Sequence, residues 1–371
     1  MKKLINFITL ILLLSFVSFI SSCKGTTSDL SIFNVGEYID TDLISLFEER
    51  YNCSVNYSTF ESNEAAITKM KTEQFDIVVP SDYALEQMIK DDMIERLDWS
   101  RFETVNKDIM TSDLLTILDN LKESDSGYDL LEYGVPYFFG KVGILYDANK
   151  VDIADLEREG WNIFKDSKYK NLTTYYDSSR DGFMVAEKAL GYSMNTTSDI
   201  ELDAAFNWIL DVKKNTNPAF KTDELLSEMP SGKYALGLMY SGDAIYCMDI
   251  ADDNVDLNFY VPKTGSNVFV DSMVIQKGAK NIDLAYKFID FMYEYDNAYT
   301  NAVYTAYSSP VEAVYQDMVS REGDLYEEDE EGRNIYESLY HVSPNKNDEI
   351  FRYNEELKLK LNDYWVKLKL S

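Results

Sequence analysis

The order of elements over residues 30–80 constrains this chain more than any other feature. Leu30-Ser31-Ile32-Phe33-Asn34-Val35 alternates as a strand does. Asp40 and Asp42 are acidic starters for a helix that carries Leu43, Leu46, Phe47 and Tyr51 on one face. A second strand is predicted over Ser54 to Ser58, followed by a helix capped by Ser62 and running to about Thr72. Phe75-Asp76-Ile77-Val78-Val79-Pro80 then has a continuous apolar centre, which fits a strand buried on both faces of a parallel sheet. A β-α-β-α-β order builds an open α/β sheet, and such sheets hold ligands at the carboxyl ends of their strands. Functional side chains are therefore expected just after each strand.

Gly134-Val135-Pro136-Tyr137 and Gly140 to Tyr146 read as strand segments where the chain enters a second lobe. Helices are predicted over Phe183 to Gly191 and Leu202 to Lys213, and a strand over Tyr234 to Met239. Asn267 to Ile275 returns as a strand, Ile282 to Met292 is an amphipathic helix, and the tail from Val311 is expected to be mainly helical. The five acids Glu327 to Glu331 read as a solvated loop or a helix start in preference to a calcium site. No repeat, P-loop or dinucleotide glycine fingerprint is present, so no cofactor is expected.

Lys2 and Lys3 precede an apolar run from Leu4 to Ile20, softened by Asn6, Thr9, Ser15 and Ser18 and ending at Ser21-Ser22-Cys23. That layout is a secretory signal over residues 1–22. A cysteine directly after small residues resembles the bacterial lipoprotein box, in which the thiol is acylated and becomes the new N-terminus. The expectation is an extracytoplasmic protein whose Cys23 anchors it to a membrane through a polar tether over 23–28. Losing Lys2 and Lys3 and no acid moves the formal charge from −30 to −32. So acidic a chain will not hold nucleic acid or an anionic membrane face by charge, whereas a cationic guest suits it. His341 is the single histidine, which argues against zinc sites and His-based catalysis. Cys53 and Cys247 are expected as two ordinary buried thiols, with a disulfide as the alternative that an oxidising compartment permits.

Several short stretches recur in a recognisable order. They are Phe33-Asn34-Val35-Gly36-Glu37-Tyr38, Tyr57 to Glu64 followed by Lys69-Met70-Lys71-Thr72, and Asp76-Ile77-Val78-Val79-Pro80-Ser81-Asp82-Tyr83. Val135-Pro136-Tyr137, Leu190-Gly191-Tyr192-Ser193, Tyr240-Ser241-Gly242-Asp243-Ala244 and Asp271-Ser272-Met273 follow. Across residues 30–310 this series resembles the polyamine-binding proteins that feed spermidine/putrescine ABC importers. The resemblance implies a type II periplasmic-binding-protein fold, in which two α/β lobes, each a mixed sheet flanked by helices, enclose a ligand cleft. It sets one lobe at 29–138 with 268–309 and the other at 139–267 with 310–371. It also implies a polyamine ligand, an ABC permease as partner, no enzymatic step and hinge closure at two crossings. Nothing in the sequence asks for more than a monomer.

The chemistry of such a guest can be matched to these residues. A protonated amine has donors and no acceptor, so burying it requires acceptors, and charged ones offset its desolvation best. Methylene spacers need apolar walls, and ring faces supply both wall and cation–π attraction. The resemblance implies that Glu37 and Tyr38 after the first strand, Ser81 and Tyr83 after the third, Asp181, Asp271 and Tyr307 contact the ligand. Asp243 fits the putrescine type, which carries an acid in this turn. Three tryptophans of the family appear here as Val35, Tyr240 and Phe269. Tyr240 and Phe269 can still wall a cleft, whereas Val35 offers no ring. Ser178 stands where the spermidine type has a further acid, and with Asp243 it leans toward a diamine. Asp271 sits in the otherwise apolar run Val268 to Val274, where a buried acid needs a partner. Asp181 and Asp243 could instead cap helices, and Trp99, Trp161, Trp208 and Trp365 are expected to be packing residues. Other readings are a binding protein for ferric iron, whose hard oxygen ligands include tyrosine and carboxylate, a carboxylate-based extracytoplasmic hydrolase, or an adhesin or sensor on the same fold.

Overall fold

The computed structural model describes residues 28–124, 127–329 and 332–371. The expected signal and the lipidation cysteine, Cys23, lie outside the described residues. Within them the strands are β1 (Leu30–Val35), β2 (Val55–Phe60), β3 (Ile77–Val78), β4 (Gly134–Asp147), β5 (Thr173–Tyr176), β6 (Ala219–Lys221), β7 (Leu236–Tyr240), β8 (Leu257–Tyr260) and β9 (Val268–Ile275). They form two mixed sheets that share one strand, in the orders β2-β1-β3-β9-β4 and β8-β4-β7-β5-β6. In the first, β1 is parallel to β2 and β3, with Ile32 opposite Ile77, while β9 runs antiparallel. In the second, β5 is parallel to β6 and β7, and β4 is antiparallel to β7 and β8. Helices flank both sheets, which is the two-lobed α/β architecture that the resemblance implied.

The shared strand replaces the two segments expected between Gly134 and Tyr146. Residues 134–141 of β4 pair with β9, and residues 142–147 pair with β7 and β8. The register shifts between Pro136 and Phe138, so Tyr137 is the extra residue of a bulge that bends the strand. The chain also passes between the sheets from β8 to β9. A third passage runs from Val342, which packs in the core around the first sheet, to Phe351, which packs with the second. Two crossings were expected from the resemblance, and the tail supplies one more.

Local patterns explain most elements. Ser62 accepts from the Ala65 amide and caps the helix Asn63–Met70, as predicted. In the helix Thr41–Tyr51, Leu43, Ile44 and Phe47 are buried, but Leu46 is 42% exposed because the sheet covers a narrower arc than the apolar stripe. The third strand keeps only Ile77 and Val78 in its ladder, both fully buried. Asp76 and Val79 extend the pairing by single bonds to Ser31 and Phe33, and Pro80, lacking an amide hydrogen, ends it. The tail is helical over Glu312–Asp317, Glu337–Tyr340 and Glu355–Leu370 and irregular between them, a departure from the expected mainly helical tail. Glycines at 323 and 332 and the Asn334 side chain, bonded to the Val319 and Leu325 carbonyls, build turns there instead. Glu327 to Asp329, the described part of the acid run, belong to this non-helical stretch. Cys53 and Cys247 are both free thiols, Cys247 buried and Cys53 half-buried.

Candidate functional site

The carboxyl ends of β1, β3, β5 and β7 open onto one cleft of about 1000 Å³. All ten side chains singled out from the sequence line it: Glu37, Tyr38, Ser81, Tyr83, Asp181, Tyr240, Asp243, Phe269, Asp271 and Tyr307. None of the four tryptophans does; Trp161, Trp208 and Trp365 are buried in the core of the second sheet and Trp99 packs against the first. The cleft is lined by nine acids against two basic residues, Arg180 and Lys358, so its field favours a cation.

Three carboxylates of the cleft are each met by a tyrosine hydroxyl from another element. Tyr38 donates to Asp271 at 2.7 Å, Tyr307 to Asp243 at 2.8 Å and Tyr240 to Asp181 at 3.1 Å. Local structure places these pairs. Glu37 adopts a left-handed backbone with φ of 52° just after β1, which turns Glu37 outward to the exposed mouth and Tyr38 inward. The bulged Tyr137 then donates to the Tyr38 carbonyl at 2.7 Å and accepts from Asn301 at 2.8 Å, locking that turn. Asp271 lies in the middle of β9, opposite Ser81, and its Oδ1 has no hydrogen-bond partner. Asp181 and Asp243 both sit in the first turn of their helices, Ser179–Leu190 and Ser241–Asp249. They are not the caps: Ser178 caps the first, and the second follows Tyr240 directly without a side-chain cap.

The rings form a continuous wall. Tyr38 meets Tyr307 edge-on at 5.1 Å, Phe269 lies 6.1 Å from Tyr307, Tyr240 lies 5.3 Å from Phe269, and Tyr176 lies 5.5 Å from Tyr240. Tyr240 and Phe269 thus wall the cleft as expected, and Tyr176 extends the wall beyond what the sequence indicated.

Burial raises the affinity of these carboxyls for protons. It pushes Asp82 up to about 8 and Asp243 up to about 6, the latter opposed by the Tyr307 hydroxyl. Asp181 and Asp271 are raised for the same reason and pulled back by hydroxyl donors, Ser178 on the first and Tyr38 on the second. Asp82 is committed to the scaffold, since it accepts from the Val270 and Tyr83 amides. A guest cation would supply the positive charge that these groups lack.

Several lining residues escaped the sequence reading. Asn63 donates to both the Ser81 and Tyr83 hydroxyls at 3.1 Å, and Tyr304 donates to Glu37 at the mouth. Arg180 stacks on Tyr83. These contacts join residues up to 267 apart in sequence, beyond the reach of any local pattern. Among the described residues no group of three or more histidines, cysteines or acids converges as a metal site, and no helix is long and apolar enough to cross a membrane.

Two sheets joined by a shared strand, with an acidic and ring-walled cleft at their strand ends, define a two-lobed solute-binding protein. Residues 42–331 match the bacterial extracellular solute-binding proteins, and the chain belongs to that family. A spermidine/putrescine-binding periplasmic protein of Escherichia coli is 31% identical over 284 residues, covering 76% of this chain and 77% of the relative. A putrescine/cadaverine-binding protein of Pseudomonas aeruginosa is 28% identical over 308 residues, covering 80% and 82%. Among solved structures, a spermidine/putrescine ABC transporter substrate-binding protein of Streptococcus pneumoniae superposes with a TM-score of 0.73 at 30% identity, covering 92% of this chain and 98% of the other. The motif series from residue 30 to 310 is thus borne out as a family resemblance.

Proposed function

We propose that this protein captures a polyamine outside the cytoplasm and delivers it to an ABC permease, with no bond made or broken. The observation that carries this reading is the set of three tyrosine–aspartate pairs, one buried and two half-buried, strung along one wall of rings. Separate acids spaced by ring faces suit an extended polycation, with amines at the carboxylates and methylenes on the rings. A compact metal ion asks instead for several ligands at one point. The names of the relatives agree with the polyamine reading. In this scheme Glu37, Tyr38, Ser81, Tyr83, Asp181, Tyr240, Asp243, Phe269, Asp271 and Tyr307 contact the guest, and a lipid on Cys23 keeps the protein, as a monomer, at the membrane. We place the hinge at residues 139–142 and 261–267, where the chain leaves one sheet for the other, and the lobe limits near 138 and 268.

The test is a thermal-shift and calorimetric series with putrescine, spermidine and ferric citrate. A ligand of the folded state present at one hundred times its Kd adds about 2.7 kcal/mol of apparent stability. Either amine should raise Tm and give a saturable heat, and ferric citrate should not. Absence of binding by both amines at millimolar concentration would overturn the reading.

A further inference from the structure

We infer that Asn267 is a further contact for the guest, a neutral acceptor that takes one of its N–H groups in the cleft. This rests on the polyamine reading. The Asn267 side chain is 2% exposed and lines the cleft, and its Oδ1 has no hydrogen-bond partner. Native folds rarely leave a buried amide oxygen unpaired, because its lost hydration is then not recovered. Among the described residues, only two side chains of the cleft lining hold such an unpaired buried oxygen, Asn267 and Asp271. Asp271 is the acid already matched to a guest amine.

The backbone sets the two in one row. Asn267 directly precedes β9, and side chains two residues apart on a strand share a face. Asn267, Phe269 and Asp271 line the cleft, whereas Val268 and Val270 between them pack in the core. At about 3.3 Å per residue the row spans about 13 Å, with Phe269 midway. A charged acceptor, a ring and a neutral acceptor in sequence suit a chain that alternates N–H groups with methylenes. The main chain at Asn267 is held on both sides. Its carbonyl accepts from the Val142 amide at 3.0 Å. The Ser266 carbonyl and the Val268 amide bond the Glu349 backbone, at 3.0 and 2.9 Å. The side chain is thus preset toward the cleft before any guest arrives. A guest with an N–H at this point restores the missing bond. One that brings only methylene there leaves the oxygen unpaired and is disfavoured on that account.

Calorimetric titration at pH 8 with putrescine and spermidine, paired with the Tm of the empty protein, tests this. The full-length protein is compared with N267L, N267A and N267D. Leucine keeps the volume and removes the acceptor, whereas aspartate keeps both shape and acceptor. The amine that the unaltered protein binds more tightly should lose about tenfold in N267L. The Tm of empty N267L should stay level or rise, since the unpaired oxygen is gone. N267D should show the opposite pattern: a lower Tm from the buried charge, and an affinity within about threefold of the original or tighter. A merely structural asparagine would move Tm and affinity in the same direction in both variants, and that result would overturn the inference. Unchanged affinity in N267L would overturn it too, while leaving polyamine binding intact. Should N267L fail to fold, N267A and N267D carry the test, with affinity falling about tenfold in the first and holding in the second. If neither amine binds the unaltered protein, the polyamine reading itself falls, and this inference with it.

Discussion

Asp271 keeps one oxygen on the Tyr38 hydroxyl and leaves the other, buried, without a donor. A protonated amine would complete it, and a hydrogen bond to a charged group is worth about 1.5–3 kcal/mol. Asp271→Asn should therefore weaken polyamine binding by about 10- to 100-fold by calorimetry. It should not lower the Tm of the empty protein, since burial penalises the charge that the change removes. Asp243 gives the pH dependence. Its carboxyl, raised from 3.8 to about 6 by burial, is ionised above that value and protonated below it. A cation prefers the ionised form, so affinity should fall as pH drops through about 6, by up to about tenfold per unit for one group. Calorimetry at pH 8, 7, 6 and 5 checks this, and Asp243→Asn should flatten the profile. The empty fold responds in the opposite sense. The stability this group contributes is complete below pH 3.8 and is lost as pH rises through about 6, because the folded carboxyl holds a proton that the unfolded chain has released. Asp271 was legible in the sequence because an acid inside an apolar strand must have a reason to be there. Arg180 and Asn63 were not, because their partners lie on other elements and neither residue type is unusual in its own segment.

At the scale of elements, the helix starting at Ser241 shows how a small residue controls a ring. A Cβ on Gly242 would come within 2.4 Å of the Tyr307 ring. Gly242→Ala should push Tyr307 away from Asp243 and weaken diamine binding by about 5- to 10-fold, with far UV circular dichroism unchanged. The loss should be much smaller in an Asp243→Asn background if the Tyr307 bond is the cause. Strand-to-helix order was readable for β1 to β3 because alternation and continuous burial are local patterns. The single β4 was not, since Pro136 and Gly140 look like strand ends and only tertiary pairing with β9 carries the strand through them. The irregular tail was misjudged because its apolar residues face cores already built by other elements, so their spacing need not follow a helix.

For the whole molecule, the third passage between the sheets is pinned by charge. Glu86, on the helix Asp82–Lys90, accepts from Arg352 at 3.0 Å, from the Tyr353 amide at 2.8 Å and from Lys90 at 3.0 Å, and its side chain is 6% exposed. Arg352 is half-buried here, and losing a hydrogen bond to a charged group costs about 1.5–3 kcal/mol. Glu86→Ala should approach that loss in urea unfolding, with a smaller loss for Glu86→Gln. The two-lobed plan was legible from element order and motif series together, whereas this tie, 266 residues long in sequence, was not. The strand common to both sheets has a mechanical consequence. Because β4 is laced to β9 on one side of the joint and to β7 and β8 on the other, the two halves cannot slide or drift apart like bodies on a slack cord. Twisting this ribbon is the soft motion left to it. If the lobes close as proposed, such a ribbon would steer the jaws along one arc and give a permease a single outline to dock against.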